Sequence, residues 1–365
     1  SGAWLMFVEK VLRAPIALTF DDVIILPGFS EVEPQEIDIS TNFSRNIRIA
    51  VPICSAPMDM VTDDKVAIYL ARMGAIGVIH RHCSIEKQAE MIKNVKNADP
   101  EKVVPTISVD ARIENLPQEI SKFPERTAII ADGDKILGII KITDKYTTTK
   151  ETNKWKTIAD VLEYMTKEKT ASILINIDSD NLIIETYLPR PINSSVDSEG
   201  RLIVAAATSP FDKDRIKLID KLGDAVVFDV AHFHTRACIN AAREIINEIN
   251  ADVIIGNIGT FEAAEDVITM IERVDGLRVG IGSGSICKTS TVTGVFAPTL
   301  FATIEVSEAL YRYGIRIPII ADGGVRSVAD ATKAIALGAS SVMSGRYFVG
   351  CLESPSPMVE IKGKK

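Results

Sequence analysis

Apolar residues along this chain gather in eight short runs, at 51–55, 76–80, 202–206, 225–229, 253–257, 277–280, 317–322 and 341–344. Between them, apolar positions recur every three or four residues, at 64–73, 85–97, 213–222, 236–249, 261–273, 301–314 and 327–337. The runs have the pattern of strands buried on both faces, and the spaced positions that of helices with one apolar stripe. Such alternation predicts an α/β protein with a parallel sheet. Eight strands predict a closed (β/α)8 barrel, a TIM barrel, with an open doubly wound sheet as the competing arrangement. In a barrel the chemistry belongs at the carboxyl ends of the strands, and there this sequence turns polar and glycine-rich. The ends read Ser55-Ala-Pro-Met58-Asp59, His80-Arg-His82, Asp229-Val-Ala-His232, Gly256-Asn257-Ile-Gly259-Thr260, Gly280-Ile-Gly282-Ser-Gly284, Asp322-Gly323-Gly324 and Ser344-Gly345-Arg346.

The alternation is interrupted between the second helix and the third strand. Residues 103–190 carry two weak copies of a strand–helix–strand–strand pattern, over 105–142 and 156–186. We therefore expect a barrel formed by 1–102 and 191–365, with 103–190 inserted as a paired α+β domain. A pseudo-repeat of this size is expected to bury two sheets against each other and bind small ligands between them; the alternative is a purely structural insert. Beyond the eighth strand, 351–365 hold two prolines and no apolar helical stripe. A barrel without its closing helix would leave strands eight and one bare, so further sequence is expected after Lys365.

Composition narrows the function class more than the fold. The 365 residues are 46% hydrophobic and 25% charged, as in ordinary globular proteins. A net charge of −8 and a pI near 5.3 argue against broad binding to nucleic acid or an anionic membrane, so any anion site must be local. No apolar run reaches the roughly 18 residues of a spanning helix, and the few residues before Met6 read as an added remnant rather than a signal peptide. A cytoplasmic protein is expected. The five cysteines are scattered, odd in number and never paired as C-x-x-C, which argues against a disulfide framework and a zinc site.

The chemistry concentrates in Gly280-Ile-Gly-Ser-Gly-Ser285-Ile-Cys287-Lys-Thr289. Glycines there let backbone groups approach an ion, while Cys287 is either a nucleophile or a buried cysteine in a tight turn. Asp322-Gly323-Gly324 and Gly345-Arg346, after strands seven and eight, occupy the place where β/α barrels commonly hold a phosphate. Ser285 would add a hydroxyl. Asp322 suits a sugar diol, because a carboxylate accepts two hydrogen bonds from a diol but repels phosphate. A phosphorylated ribose, hence a nucleotide, satisfies both. Cys287 would then face the group carried on C1′, and Thr289 would orient a water, move a proton or simply shape the turn. His80, His82, His232 and His234 form two H-x-H pairs without an evident third metal ligand, so we expect them to line the mouth or pack.

The turn, together with Leu-Thr19-Phe-Asp-Asp-Val-Ile-Ile-Leu-Pro27 and Ile79-His-Arg-His-Cys-Ser-Ile-Glu-Lys-Gln88, resembles the inosine-5′-monophosphate (IMP) dehydrogenase / GMP reductase family. Glu199-Gly-Arg-Leu-Ile-Val-Ala-Ala, Ala321-Asp-Gly-Gly and Leu337-Gly-Ala-Ser-Ser-Val-Met343 agree in the same order, and the resemblance covers nearly the whole chain. The insert is similar in place and length to the paired CBS domains of the dehydrogenases, which typical GMP reductases lack, and this favours the dehydrogenase. The resemblance implies NAD-dependent oxidation of IMP to xanthosine 5′-monophosphate through a covalent Cys287 thioimidate, the committed step of guanine nucleotide synthesis. It implies catalytic Cys287 and Thr289, and IMP contacts from Ser55, Met58, Ser285, Asp322, Gly323, Gly324, Gly345 and Arg346. Asp229, Asn257, Arg278, Gly280 and Gly282 would lie on the NAD side, and the carbonyls of Gly282, Gly284 and Cys287 would bind K+. It also implies a homotetramer or octamer, with adenine or guanine nucleotide effectors at the insert. Arg346 stands where the family usually has Ser; Lys288, Ser290 and Asp229-Val-Ala-His-Phe-His depart as well. The Arg-Tyr flap that serves hydrolysis would follow Lys365. GMP reductase and a non-catalytic nucleotide-sensing paralogue are the alternatives.

Overall fold

A computed structural model describes residues 9, 12, 14–33, 36–100, 105–123, 126–133, 135–143, 155–170, 172–177, 180–186, 193–284, 292–349 and 354–355. The chain divides into two compact units, Ser1–Pro100 with Ser194–Lys365, and Glu101–Asn193.

The first unit is an eight-stranded parallel barrel. Its strands are β1 (Ile53–Ser55), β2 (Val78–Ile79), β3 (Ala205–Thr208), β4 (Ala225–Phe228), β5 (Asp252–Ile258), β6 (Gly276–Val279), β7 (Ile319–Asp322) and β8 (Ser341–Ser344). They pair in the order β1-β8-β7-β6-β5-β4-β3-β2, and a parallel bridge between Cys54 and Ile76 closes the ring. The eight apolar runs are thus the eight staves, and the competing open sheet is excluded. Helices α1 (Asp64–Arg72), α2 (Ile85–Asn97), α3 (Lys213–Leu222), α4 (Arg236–Ile245), α5 (Phe261–Met270), α6 (Thr299–Arg312) and α7 (Val328–Ala336) lie between successive strands. Their starts are written locally: Asp63, Ser84, Asp212, Thr235, Thr260 and Ser327 each accept a hydrogen bond from the amide three residues on. Each satisfies one of the donors that a helix start leaves free.

Period-two alternation divides the staves between two cores. Cys54, Val78, Ala205, Ala207, Val227, Ile254, Ile320 and Met343 fill the barrel interior, whereas Ile79, Ala206, Val226, Val253, Ile255, Leu277 and Ile319 pack outward with the helices. A short hairpin, Thr41–Asn42 paired with Arg48–Ile49, adds Phe43, Ile47 and Ile49 to the interior core. Asn46 donates to Asp252 and Arg45 to Asp275, both at the starts of their strands, so the hairpin plugs the amino-terminal end. Among the described residues, the carboxyl-terminal mouth is the end left open.

Where the chain re-enters the barrel, Lys96 Nζ lies 2.9 Å from both Asp197 and Asp224. Burial acts to raise Asp197, yet Lys96 and the amides of Arg201 and Glu199 hold it at about 2. Asp224 is more deeply buried, and there desolvation wins and pushes the carboxyl up. A depressed carboxyl stabilises the fold fully above its unfolded value of 3.8 and loses that contribution as pH falls toward 2. Asp224 works in the opposite sense, so the informative quantity is the difference between wild type and Asp197→Asn. Urea melts from pH 5 to pH 2 should show an acid limb shallower by about 2 kcal/mol in the variant.

The second unit is one five-stranded sheet, ordered Thr106–Ser108, Thr127–Asp132, Lys135–Thr143, Asp180–Glu185, Ser172–Ile177. The two copies seen in the sequence do not form two stacked sheets, which corrects the expectation above. Lys135–Thr143 pairs antiparallel with Asp180–Glu185, so each copy covers what would be the other's open edge. Helices Leu116–Ile120 and Ile158–Lys167 supply Leu116, Ile120, Ile158, Val161 and Met165 to the core against Ile130, Ile140, Ile175 and Ile184.

Candidate active site

The barrel mouth opens into a cavity of about 940 Å³. Met58, Asp229, Asn257, Arg278, Gly280, Gly282, Gly284, Asp322, Gly323, Gly324, Gly345 and Arg346, read from six separate stretches of sequence, all line it. Ser55 does not. It is 0% exposed, and its hydroxyl accepts from Thr62 Oγ1 at 2.8 Å and from the Val78 amide, so it pins β1 to β2 inside the barrel. Ser285, Cys287 and Thr289 lie outside the described residues, as do Lys288 and Ser290; Gly284, on the cavity wall, directly precedes them.

The walls carry an ordered set of charges. Arg278 Nη1 lies 2.6 Å from Asp229 Oδ1, and its Nε 2.8 Å from Asp322 Oδ2. Burial disfavours the charged guanidinium, but Asp322 and Asp229 outweigh it and raise its pKa above the ordinary arginine value. Asn257 Nδ2 donates to the same Asp322 oxygen and to the Gly280 carbonyl, each at 2.8 Å. Thr299 Oγ1 donates to the Asp322 carbonyl at 2.7 Å. Asp322 Oδ1 receives no hydrogen bond from the described residues, which leaves it as an acceptor at the cavity.

Backbone shape at the mouth depends on glycine. Gly280 has φ +116°, and a Cβ there would collide with the Asp322 carbonyl oxygen and lie 2.6 Å from Thr299 Oγ1. Gly280→Ala should therefore cost about 2–4 kcal/mol in a chemical melt, from left-handed strain and overpacking together. Gly323 and Gly324 also have positive φ, at +93° and +70°.

Sequence reading gave no site role to Thr19, Phe20, Asp21, Arg81, Thr299 or Arg326, which also line the cavity. Phe20 is buried against Leu300, Ala321, Val325 and Val342, while Asp21 pairs with Arg326 and the Phe20 carbonyl accepts from Lys333 at 2.7 Å. The segment thus braces the β7–β8 side of the mouth; its recurrence in the Thr19-Phe-Asp-Asp motif was the available signal. Arg81 was visible only as the middle of an H-x-H pair. Its Nη2 donates to the Asp229 carbonyl at 3.1 Å.

His80 and His234 pack, whereas His82 and His232 are exposed, and none of the four lines the cavity. His80 is buried with Nδ1 accepting from the His82 amide, and burial lowers its pKa. His234 Nε2 meets Asp266 at 2.7 Å. Among the described residues no three His, Cys, Asp or Glu are grouped to hold a metal. Burial raises the thiols of Cys54 and Cys83, which makes both poor nucleophiles.

Residues 17–365 match the family model described as the IMP dehydrogenase / GMP reductase domain. An inosine-5′-monophosphate dehydrogenase of Korarchaeum cryptofilum is 40% identical over 377 residues, covering 97% of this chain and 79% of its own. A GMP reductase of Leishmania donovani is 34% identical, covering 96% of this chain and 78% of its own. A crystal structure of a Trypanosoma brucei GMP reductase in complex with guanosine 5′-monophosphate superposes with a TM-score of 0.67 at 31% identity, covering 97% of this chain and 81% of that one. Matches of that breadth run through the insert, so having the insert does not by itself separate the reductase from the dehydrogenase. The fold, the mouth and these matches place the chain in the IMP dehydrogenase / GMP reductase family.

Proposed function

We propose that the protein oxidises IMP to xanthosine 5′-monophosphate with NAD+. The observation that carries this reading is the shared cavity. Asp322-Gly-Gly and Gly345-Arg346, Asp229 and Arg278, and the glycine turn as far as Gly284 all line it together. The 40% identity to an IMP dehydrogenase favours the dehydrogenase direction over the reductase.

In this mechanism Gly323, Gly324, Gly345 and Arg346, with Ser285, hold the phosphate, and Asp322 accepts from the ribose hydroxyls. Arg346 has no ion pair among the described residues, so its guanidinium is available to a phosphate oxygen as a forked donor. Cys287 attacks C2 of the hypoxanthine as thiolate, which forms the C–S bond while the C2=N3 π pair moves onto N3 and takes up a proton, and makes C2 tetrahedral. The C2 hydrogen then leaves with its electron pair; bound beside Asp229 and Asn257, NAD+ supplies the hydride acceptor. Water, oriented by Thr289, adds to C2 of the resulting thioimidate; the C–S bond breaks and the thiol is regenerated as xanthosine monophosphate leaves. Carbonyls of Gly282 and Gly284, with that of Cys287, suit a large, weakly hydrated K+, and the positive φ of Gly282 at +74° lets the turn fold tightly enough to present them.

Paired absorbance assays test the reading: IMP with NAD+ should generate NADH, and GMP with NADPH should give no consumption. The reverse outcome assigns the reductase; turnover with neither pair in the full-length protein leaves a nucleotide-sensing paralogue. We assign the insert as a CBS pair that takes adenine or guanine nucleotides, on its likeness in place and length to the paired domains of the dehydrogenases; absence of heat with ATP, AMP and GTP in calorimetry would remove that role. A homotetramer, or an octamer, in the cytoplasm completes the proposal. No helix among the described residues is long and apolar enough to cross a membrane.

A further inference from the structure

Four side chains, Asp229, Arg278, Asp322 and Asn257, make one hydrogen-bonded chain across the mouth, and Arg81 joins it at Asp229. Arg81, after β2, donates from Nη2 to the Asp229 carbonyl, and its Nε lies 3.5 Å from Asp229 Oδ2. Asp229, after β4, meets Arg278 Nη1 at 2.6 Å; Arg278, on β6, meets Asp322 at 2.8 Å from Nε; and Asp322, ending β7, accepts from Asn257 of β5 at 2.8 Å. Arg278 is 7% exposed, so little water is present to loosen these contacts. A guanidinium is flat and rigid, and Nε and Nη1 cannot move independently. Any rotation that follows one carboxylate displaces the donor serving the other.

We propose that Arg278 is a positioning residue that couples the two nucleotide subsites. A ribose diol seated on Asp322 fixes the guanidinium, the fixed guanidinium presents Asp229 in its binding orientation, and the second nucleotide no longer bears that ordering cost. The coupling is reciprocal, so a change at Asp229 is felt by the monophosphate even though the two do not meet. This inference rests on assigning Asp322 to the monophosphate and Asp229 to the dinucleotide.

The test is the affinity for IMP, and for GMP, measured by calorimetry on the full chain without dinucleotide. Asp229→Asn should weaken monophosphate binding by about fivefold or more in the wild-type background. In an Arg278→Gln background the same change should alter it by less than about twofold, because the link is gone. Arg278→Lys keeps the charge but replaces the fork with a point donor, and should likewise lose the sensitivity while keeping the melting temperature nearer to wild type than Gln does. Equal monophosphate affinity in wild type and Asp229→Asn would overturn the coupling, and so would full sensitivity retained by Arg278→Lys. If Arg278→Gln does not fold, the Asp229→Asn single variant and the Lys background still decide. Wild-type protein that binds neither monophosphate overturns the functional reading and the coupling together; binding that ignores Asp229 overturns the coupling alone.

Discussion

Replacing Cys287 with alanine should lower turnover by roughly 10⁴–10⁶-fold while leaving monophosphate affinity within a few-fold of wild type. The asymmetry follows from what each group does. In the proposed reading, phosphate and ribose are held by Asp322, Gly323, Gly324, Gly345 and Arg346, none of which the substitution changes. Hydride departure, by contrast, needs an electron-rich, tetrahedral C2, and addition of the thiolate is what creates it. The described cysteines offer no substitute: burial raises the thiols of Cys54 and Cys83, and Cys238 is packed in the core outside the barrel, away from the cavity lining. Steady-state kinetics, calorimetry and intact-protein mass measured during turnover check all parts: the wild type should carry a substrate adduct and the variant none. Turnover within tenfold of wild type would remove Cys287 from the chemistry. Unchanged output in a cell that depends on the protein, with turnover already absent in the wild type, would point to a sensing role.

Replacing Asp322 with alanine should raise KM for the monophosphate by roughly 10²–10³-fold and also destabilise the fold by about 3–5 kcal/mol. Both effects come from one carboxylate with two tasks. Its Oδ2 takes Arg278 Nε and Asn257 Nδ2, each at 2.8 Å. Truncation leaves Arg278 Nε unpaired, Asn257 Nδ2 with the Gly280 carbonyl alone, and Arg278 with Asp229 as its remaining close acid. Oδ1 is the oxygen assigned to the ribose, and its loss removes charge-assisted hydrogen bonds worth about 1.5–3 kcal/mol each. Asp322→Asn keeps the shape but points an amide at existing donors, so it should fall between wild type and alanine. Urea melts separate the stability loss from the KM change measured well below the melting point. An alanine variant with unchanged KM would move the ribose away from Asp322.

The hydrophobic pattern carried most of the architecture, and particular residues show where it stopped. All eight strands and all seven barrel helices were legible, because strands buried on both faces and capped amphipathic helices are local signals. Within such a strand the faces are harder to tell apart. Ser55 and Met58 are three residues apart at the end of β1, yet Met58 lines the cavity and Ser55 is sealed inside the barrel. Arg278 was expected on the dinucleotide side, but its partners stand 49 and 44 residues away along the chain, and no local pattern announces them. The insert's two copies were visible as a repeat, whereas their fusion into one sheet depends on pairing between strands from different copies.

Sequence alone therefore determined the eight-fold βα alternation, the presence of an inserted repeat, and a glycine–cysteine turn next to phosphate-type loops. Each is set by residues close together in the chain, where periodicity and turn chemistry dominate. Tertiary structure decided the rest: which end the 41–49 hairpin closes, that Phe20 and Asp21 brace the mouth, and that one buried arginine joins two acids across it. Those choices are made by barrel closure, which brings distant strand ends within hydrogen-bond reach and excludes the water that would otherwise screen their charges.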